Sequence, residues 1–121
     1  MAAVSDLGRK LLIRPGRSVR LLHAPDRHRP MLGVFTESSG AADVVLLYSR
    51  ISDQLERDAA AGDDGILWVC YPKRSAGTPS DLSRERCRDA MAPLGWRPVT
   101  QVSIDATWSA LRFRPADRAG S

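Results

Sequence analysis

Three short, mainly apolar runs most constrain how this chain can fold. They read SVRLLHAP at 18–25, DVVLLYS at 43–49 and GILWVCY at 65–71. Each run has the length of a strand, and none alternates apolar with polar residues, which predicts strands covered on both faces of a sheet. Patterns of helical spacing lie between the runs. Strands that alternate with helices predict right-handed crossovers and a mainly parallel sheet.

The remaining segments complete this plan. A short helix is predicted before Pro15, and a brief strand at 34–36. Further helices are expected at about 52–61 and 79–94, where apolar residues recur at helical spacing. We therefore predict a three-layer, Rossmann-like α/β open sheet of about six mostly parallel strands.

The end of the chain has a different pattern. PVTQVSID and WSALRFRP both alternate, and only a short connection separates them, so they predict an antiparallel hairpin. At 121 residues the chain fits one domain. We place that domain at 1–115 and expect a disordered tail at 116–121. No apolar run reaches the ~20 residues that cross a bilayer, and no export pattern opens the chain. We expect a cytoplasmic protein without a membrane partner.

Four segments, in the same order, resemble a family of short bacterial proteins of unknown function. They are RPGRSVRLLHAP, ADVVLLYSR, GILWVCYPKRSAGTPSDLSR and LGWRPVTQVSIDATWSALRFRP. That family typically shows a Tyr-Pro-Lys loop followed by Thr-Asp-Leu and a final Asp-x-x-Trp-Ser hairpin. This sequence departs at 78–82, where Thr-Pro-Ser-Asp-Leu replaces the tighter spacing, and at His23, where the family often has asparagine. The resemblance implies a fold rather than an activity.

The layout also resembles a truncated class I methyltransferase. That resemblance implies the strand order 2-1-3-4-6-5 with the last strand antiparallel. In such scaffolds a glycine-rich turn after the first strand lets the backbone approach adenosylmethionine, and an acidic residue after the next strand holds the ribose. Here His23, Ala24 and Pro25 end the first strand, without glycine, and Glu37 is the candidate acid. We expect no cofactor, and a divergent methyltransferase-like enzyme remains an alternative.

The loop after the third apolar run has the parts of an anion site. Thr78 is the predicted N-cap of the following helix, with Pro79 and Asp81 in its first turn. Cations at a strand end beside a helix N-terminus favour anion binding, although the same residues also suit an ordinary turn. The candidate binding residues of this loop are Lys73, Arg74, Ser75, Gly77, Thr78, Ser80 and Asp81.

The loop after the first strand is expected to face this one across the sheet edge. It adds His23 and Asp26, and Trp108, at the start of the last strand, is expected at the surface beside them. We predict that a small anionic metabolite or nucleotide binds between the loops at 23–29 and 72–81, without catalysis. The alternative of another class is an interaction or structural module, such as a homodimer formed through the final hairpin or an edge strand.

Other functions find less support in the sequence. The net charge is +4, but the cations are scattered among carboxylates and no aromatic platform accompanies them, so we expect no nucleic-acid partner. His23 and His28 flank Asp26, yet we expect no metal there. Asp105, His23 and Ser109 could form a triad, but the Gly-x-Ser-x-Gly elbow is absent. We expect both cysteines, Cys70 and Cys87, to be reduced and buried.

Overall fold

The computed structural model of this chain describes residues 4–59 and 66–116. The strands are β1 (Ser18–Leu22), β2 (Thr36–Glu37), β3 (Val44–Tyr48), β4 (Ile66–Pro72), β5 (Trp96–Ser103) and β6 (Trp108–Pro115). The helices are α1 (Asp6–Lys10), α2 (His28–Met31), α3 (Ser52–Asp58) and α4 (Arg84–Met91), and 3-10 turns lie at Arg74–Ala76 and Ala92–Leu94. None of the described helices is long and apolar enough to span a bilayer.

All six strands form one sheet in the order β2-β1-β3-β4-β6-β5. β2, β1, β3 and β4 pair in parallel, whereas β6 is antiparallel to both β4 and β5. This is the predicted order, and it confirms the Rossmann-like α/β class. β5 lies at the sheet edge, where a bulge between Pro98 and Thr100 interrupts its pairing. Bulges and prolines at an edge hinder further strand addition.

One face of the sheet, which we call the α3–α4 face, packs beneath the two longer helices. The apolar sides of α3 and α4 supply Leu55, Cys87 and Met91. They cover strand residues that are also buried: Val45, Leu47, Leu67, Val69, Tyr71, Leu111 and Phe113. Burial of such side chains supplies most of the stability of the face, at about 1.5–3 kcal/mol for each fully buried large side chain.

The opposite face, the α1–α2 face, packs beneath shorter helices. Its buried residues include Leu11, Ile13, Val19, Leu32, Val44, Leu46, Tyr48, Trp68, Cys70, Ile104, Trp108 and Ala110. Ser5 caps α1 by accepting a hydrogen bond from the Gly8 amide at 3.0 Å. Gly8 is buried against the loop after α2, and a Cβ there would lie 2.8 Å from the Leu32 carbonyl oxygen. The expected burial of Cys70 and Cys87 as free thiols is confirmed, one on each face.

The fourth helix starts later than its sequence indicated. We expected a helix from about residue 79 with Thr78 as its N-cap, but α4 begins at Arg84 and Ser83 is its cap, accepting from the Arg86 amide at 3.2 Å. The reason is tertiary. The Asp81 amide donates to the Arg50 carbonyl at 3.1 Å, which holds this segment in a non-helical course beside α3.

Other boundaries differ less. β2 comprises Thr36–Glu37 rather than 34–36. α3 comprises Ser52–Asp58, and the expected end of this helix, at residue 61, lies outside the described residues. The final hairpin is formed as predicted, and Asp105 closes its turn by accepting hydrogen bonds from the Thr107 and Trp108 amides at 2.8 and 2.7 Å. Most of the expected tail, residues 117–121, lies outside the described residues.

Candidate functional site

A pocket of about 570 Å³ opens at the edge of the sheet where β1 and β3 end. We call it the rim pocket. The chain passes from β1 to β2 on one side and then returns to β3 on the other, so the strand order reverses here. Such reversal points are where open α/β sheets bind ligands. The pocket is lined by His23, Ala24, Pro25, Arg27, Tyr48, Ser49, Arg50, Gln54, Thr78, Thr107 and Trp108.

Two guanidinium groups give the rim pocket its charge. Arg27 lies 3.3 Å from an Asp105 carboxylate oxygen and is more than half exposed. The Arg50 guanidinium carbon lies 5.8 Å from the centre of the Trp108 ring, within cation–π range. Within the described part of the chain, Arg50 forms no ion pair with a carboxylate. A cation held by an aromatic ring remains available to an anionic ligand.

Behind the pocket wall lies a buried histidine that the sequence did not reveal as important. His28 is fully buried, and its Nε2 lies 2.8 Å from Asp105 Oδ2 while its Nδ1 lies 2.7 Å from the Tyr48 hydroxyl. A carboxylate can only accept, so Nε2 carries a proton and donates to Asp105. In the neutral ring Nδ1 then accepts from the Tyr48 hydroxyl. The three side chains form one satisfied buried network.

Charge and burial act in opposite directions on the acid of this network. Burial raises the pKa of Asp105, but hydrogen bonds from His28, Trp108 and Thr107 together lower that pKa below its ordinary value. Burial also raises the pKa of Tyr48 well above its ordinary value. Asp105 is therefore an anion and Tyr48 a neutral phenol at physiological pH. The network fixes its side chains in place, and neither ring nitrogen of His28 is left free to act as a base.

Aromatic packing completes this wall. The Tyr48 and Trp108 rings lie 5.1 Å apart in an edge-to-face arrangement, and the His28 and Tyr48 rings lie 5.3 Å apart. We expected Trp108 at the surface, but it is 4% exposed. Its ring is covered because the hairpin turn folds back toward α2, where Asp105 meets His28. Trp108 still lines the rim pocket, as a wall rather than as an exposed platform.

The predicted loop site forms a second, smaller pocket, which we call the loop pocket. It measures about 190 Å³, and of the candidate residues it brings together Lys73, Arg74, Thr78, Ser80 and Asp81. Thr78 lines both pockets. Ser75 instead lines a separate groove beside α4, and Gly77 adopts a left-handed conformation with φ 70° at the end of the 3-10 turn.

Several groups of the loop already have partners. The Lys73 ammonium donates to Ser103 Oγ at 2.5 Å, and Ser80 Oγ donates to the Arg50 carbonyl at 2.7 Å. The Asp81 carboxylate accepts from the Ser52 amide at 2.9 Å and from its hydroxyl at 2.8 Å. Those hydrogen bonds outweigh burial and, with Arg86, lower the pKa of Asp81. Asp81 thus stabilises the start of α3, not α4 as we predicted.

The loop after β1 does not fit adenosylmethionine. His23 adopts φ 61°, a conformation that favours glycine, and its side chain lines the space that glycine would leave open. Pro25 has no N–H to offer a ligand. Glu37, the candidate ribose acid, accepts two hydrogen bonds from Arg29 at 3.0 and 2.9 Å. Asp26 is fully exposed and lies 3.7 Å from Arg29, outside the rim pocket.

The two histidines contact different residues and do not form a common site. His23 Nε2 lies 3.1 Å from Asp58, whereas His28 contacts Asp105. The triad of Asp105, His23 and Ser109 is therefore not formed, because α2 brings the other histidine to Asp105. Across the described ranges, no group of three histidine, cysteine or acidic side chains is arranged to hold a metal ion.

Comparisons with known proteins do not assign this chain to a family. No protein family matches the sequence, and no curated protein matches it either. Among solved structures, the chain is similar to LepI in complex with SAM, at 15% sequence identity and a TM-score of 0.49. That alignment covers 90% of this chain and 39% of the LepI chain. The Rossmann-like assignment rests on the strand order and strand directions of this chain.

Proposed function

We propose that this domain binds a small anionic metabolite or nucleotide in the rim pocket, without catalysis. The observation that carries the proposal is the position of Arg27 and Arg50 in a pocket at the reversal of strand order. The volume of about 570 Å³ suits a small ligand, since such sites usually span a few hundred to a thousand Å³.

The nearby carboxylates support an anionic rather than a cationic ligand. Asp105 is engaged by His28, by Arg27 and by two backbone amides. Asp58 is paired with His23. Both acids are thus occupied, and Arg50 is left to face the ligand with Thr78 and Thr107 as neutral partners. Guanidinium groups bind phosphate and carboxylate through two parallel hydrogen bonds.

A ligand with two anionic groups would reach the loop pocket as well. Thr78 lines both pockets, and Lys73 and Arg74 lie beyond it. In this proposal Lys73 and Arg74 therefore form a second anion subsite. The Asp81 carboxylate already accepts two hydrogen bonds from Ser52, so it repels an anionic ligand less than a free carboxylate would.

Non-catalytic binding is favoured by the state of the polar groups. Both ring nitrogens of His28 are engaged and the ring is fully buried. A divergent methyltransferase-like enzyme remains the catalytic alternative. Against it, His23 and Pro25 do not suit the binding of adenosylmethionine. A homodimer through β5 remains the structural alternative, with the bulge at Pro98 against it. A cytoplasmic location also belongs to the proposal.

Calorimetric titration with inorganic phosphate, AMP, ATP and adenosylmethionine tests the proposal. We expect phosphate-bearing ligands to bind with micromolar to millimolar Kd and to bind less tightly as salt increases. Arg50→Gln should weaken binding by about tenfold or more, since a charged hydrogen bond contributes about 1.5–3 kcal/mol. Arg88→Gln, on the exposed side of α4, is the control with the same change in net charge.

Equal affinity of the Arg50 and Arg88 variants would reject the rim pocket as the anion site. Binding of adenosylmethionine alone would favour the methyltransferase-like alternative. A Lys73→Ala, Arg74→Ala double variant tests the second subsite, and it should weaken ATP more than phosphate. Absence of binding by every ligand, with a dimer seen in scattering, would favour the structural module.

A further inference from the structure

A cluster of arginines lies at the end of the sheet that is farther from the rim pocket. Arg112 and Arg114 are two residues apart on β6, so both point to the α1–α2 face. Arg112 pairs in register with Trp68, a buried residue of that face. β6 begins at the rim pocket with Trp108 and runs away from it, which places these arginines toward the far end of the strand. With Arg17 they form what we call the β6 arginine cluster.

Two hydrogen bonds bring Arg17 to this cluster. Its guanidinium donates to the Leu12 carbonyl at 2.9 Å, and the neighbouring Leu11 carbonyl accepts from the Trp68 indole N–H at 2.9 Å. Trp68 is in turn the cross-strand neighbour of Arg112. Arg17 and Arg112 therefore lie close together although 95 positions separate them in the sequence, where the cations are scattered.

The cluster carries positive charge that the described residues do not neutralise. Burial lowers the pKa of Arg112, and the charges of Arg114 and Arg17 lower it further. Within residues 4–59 and 66–116, none of the three forms an ion pair with a carboxylate. Asp43 lies beside the start of β1, but its carboxylate accepts from the Ser18 amide and hydroxyl. Like charges held together are costly unless an anion joins them.

One atom of the cluster lacks a partner. Arg112 Nε is buried and has no hydrogen-bond partner among the described residues. A buried donor without an acceptor costs free energy, so such groups call for an explanation. Arg112 as a whole is partly exposed and Arg114 is exposed, so an anion that contacts their guanidinium groups would reduce the repulsion within the cluster.

We propose that the β6 arginine cluster binds the phosphodiester backbone of a nucleic acid. Protein interfaces have an apolar centre, whereas nucleic-acid interfaces are polar and strongly positive. Arg114 and Thr100, the residue in register with Arg112 on β5, are both exposed to solvent. Guanidinium forks match phosphate oxygens closely. The binding is independent of base sequence, because backbone contacts carry no base information.

Fluorescence anisotropy with a labelled oligonucleotide, as single strand and as duplex, tests this proposal. Three phosphate contacts predict a slope of log K against log salt of about −2 to −3. The double variant Arg112→Gln, Arg114→Gln should lower the magnitude of that slope by about 1.5–2 and weaken binding at least about tenfold at low salt. The control Arg57→Gln, Arg88→Gln has the same net charge and should bind like the wild type.

Three further measurements keep the test decisive. Arg114→Gln alone, at an exposed position, should reduce the slope by about 0.7–0.9 even if the double variant unfolds. Phosphate binding in the rim pocket should be unchanged in that variant. The proposal fails if the wild type does not bind at low salt, or if the double variant and its control weaken equally. It also fails if poly-glutamate displaces the labelled strand better than unlabelled oligonucleotide does, which would assign the surface to an acidic protein.

Discussion

The two faces of the sheet are stabilised in different ways. On the α3–α4 face, α3 and α4 pack apolar side chains such as Leu55 and Met91 directly on the strands. On the α1–α2 face, α1 and α2 have only five and four residues. There the buried layer also contains His28, hydrogen-bonded to Tyr48 and Asp105. On the face with the shorter helices, a polar network therefore takes part in the packing beside the apolar side chains.

This difference bears on function because the buried aromatic wall of the rim pocket belongs to one of the faces. Tyr48 and Trp108 line the pocket and belong to the α1–α2 cluster. Asp105 connects that cluster to Arg27, which also lines the pocket. We therefore expect changes on the α1–α2 face to alter both stability and ligand binding. Changes on the α3–α4 face should alter stability alone.

The largest expected effect comes from Met91→Ala on the α3–α4 face. Met91 is fully buried at the end of α4, and truncation of such a side chain costs about 2–5 kcal/mol in lost burial and residual cavity. Urea unfolding measures the change in free energy. Anion affinity in the remaining folded protein should equal that of the wild type. A loss of affinity in Met91→Ala would mean that the two faces are not independent.

A smaller change in stability, with loss of binding, is expected for His28→Leu. The leucine side chain fills the space of the imidazole but cannot hydrogen-bond to Asp105 or Tyr48. The loss of both hydrogen bonds should lower the free energy of unfolding by about 2–3 kcal/mol. Anion affinity should fall because Asp105 no longer holds Arg27 and the hairpin turn in place. Tyr48→Phe is the milder control, with an expected cost of about 1 kcal/mol. Wild-type affinity in His28→Leu would contradict the coupling of this face to the pocket.

The smallest effect concerns acid stability. The folded-state pKa of Asp105 is lowered, so its contribution is fully present above the unfolded pKa of about 4 and is lost as the pH falls through the folded pKa. Wild-type protein should lose stability below about pH 4 more steeply than Asp105→Asn. Urea unfolding across this pH range measures both slopes. Parallel curves would show that other carboxylates, such as Asp81, account for the acid sensitivity.

The positions of the strands could be predicted because they depend on local patterns, whereas their order was implied by the resemblance to a truncated class I methyltransferase. Continuous apolar runs such as 43–49 and 65–71 identify buried strands, and the rule for right-handed crossovers restricts their arrangement. The start of α4 could not be predicted in the same way. Residues 78–82 suit a helix N-terminus by composition, yet Asp81 binds Ser52, 29 positions away. A local pattern cannot report such a contact, so the predicted cap at Thr78 was wrong.

The candidate site was predicted only in part. The sequence placed a ligand between the loops at 23–29 and 72–81, and the structure has pockets at both loops. It did not indicate Arg50, Gln54 or the buried His28. The motif-based triad used His23, because nothing in the sequence distinguishes one histidine of that loop from the other. Only the position of α2 decides which of them meets Asp105.

The sequence by itself determined which segments are strands and that β3 and β4 are buried on both faces, because apolar periodicity records local burial along the chain. The tertiary structure alone decided which polar side chains meet. His28 and Asp105 are separated by 77 positions, and Arg17 and Arg112 lie at opposite ends of the chain. Their approach depends on crossover geometry and strand register, which place distant residues side by side without leaving a local pattern.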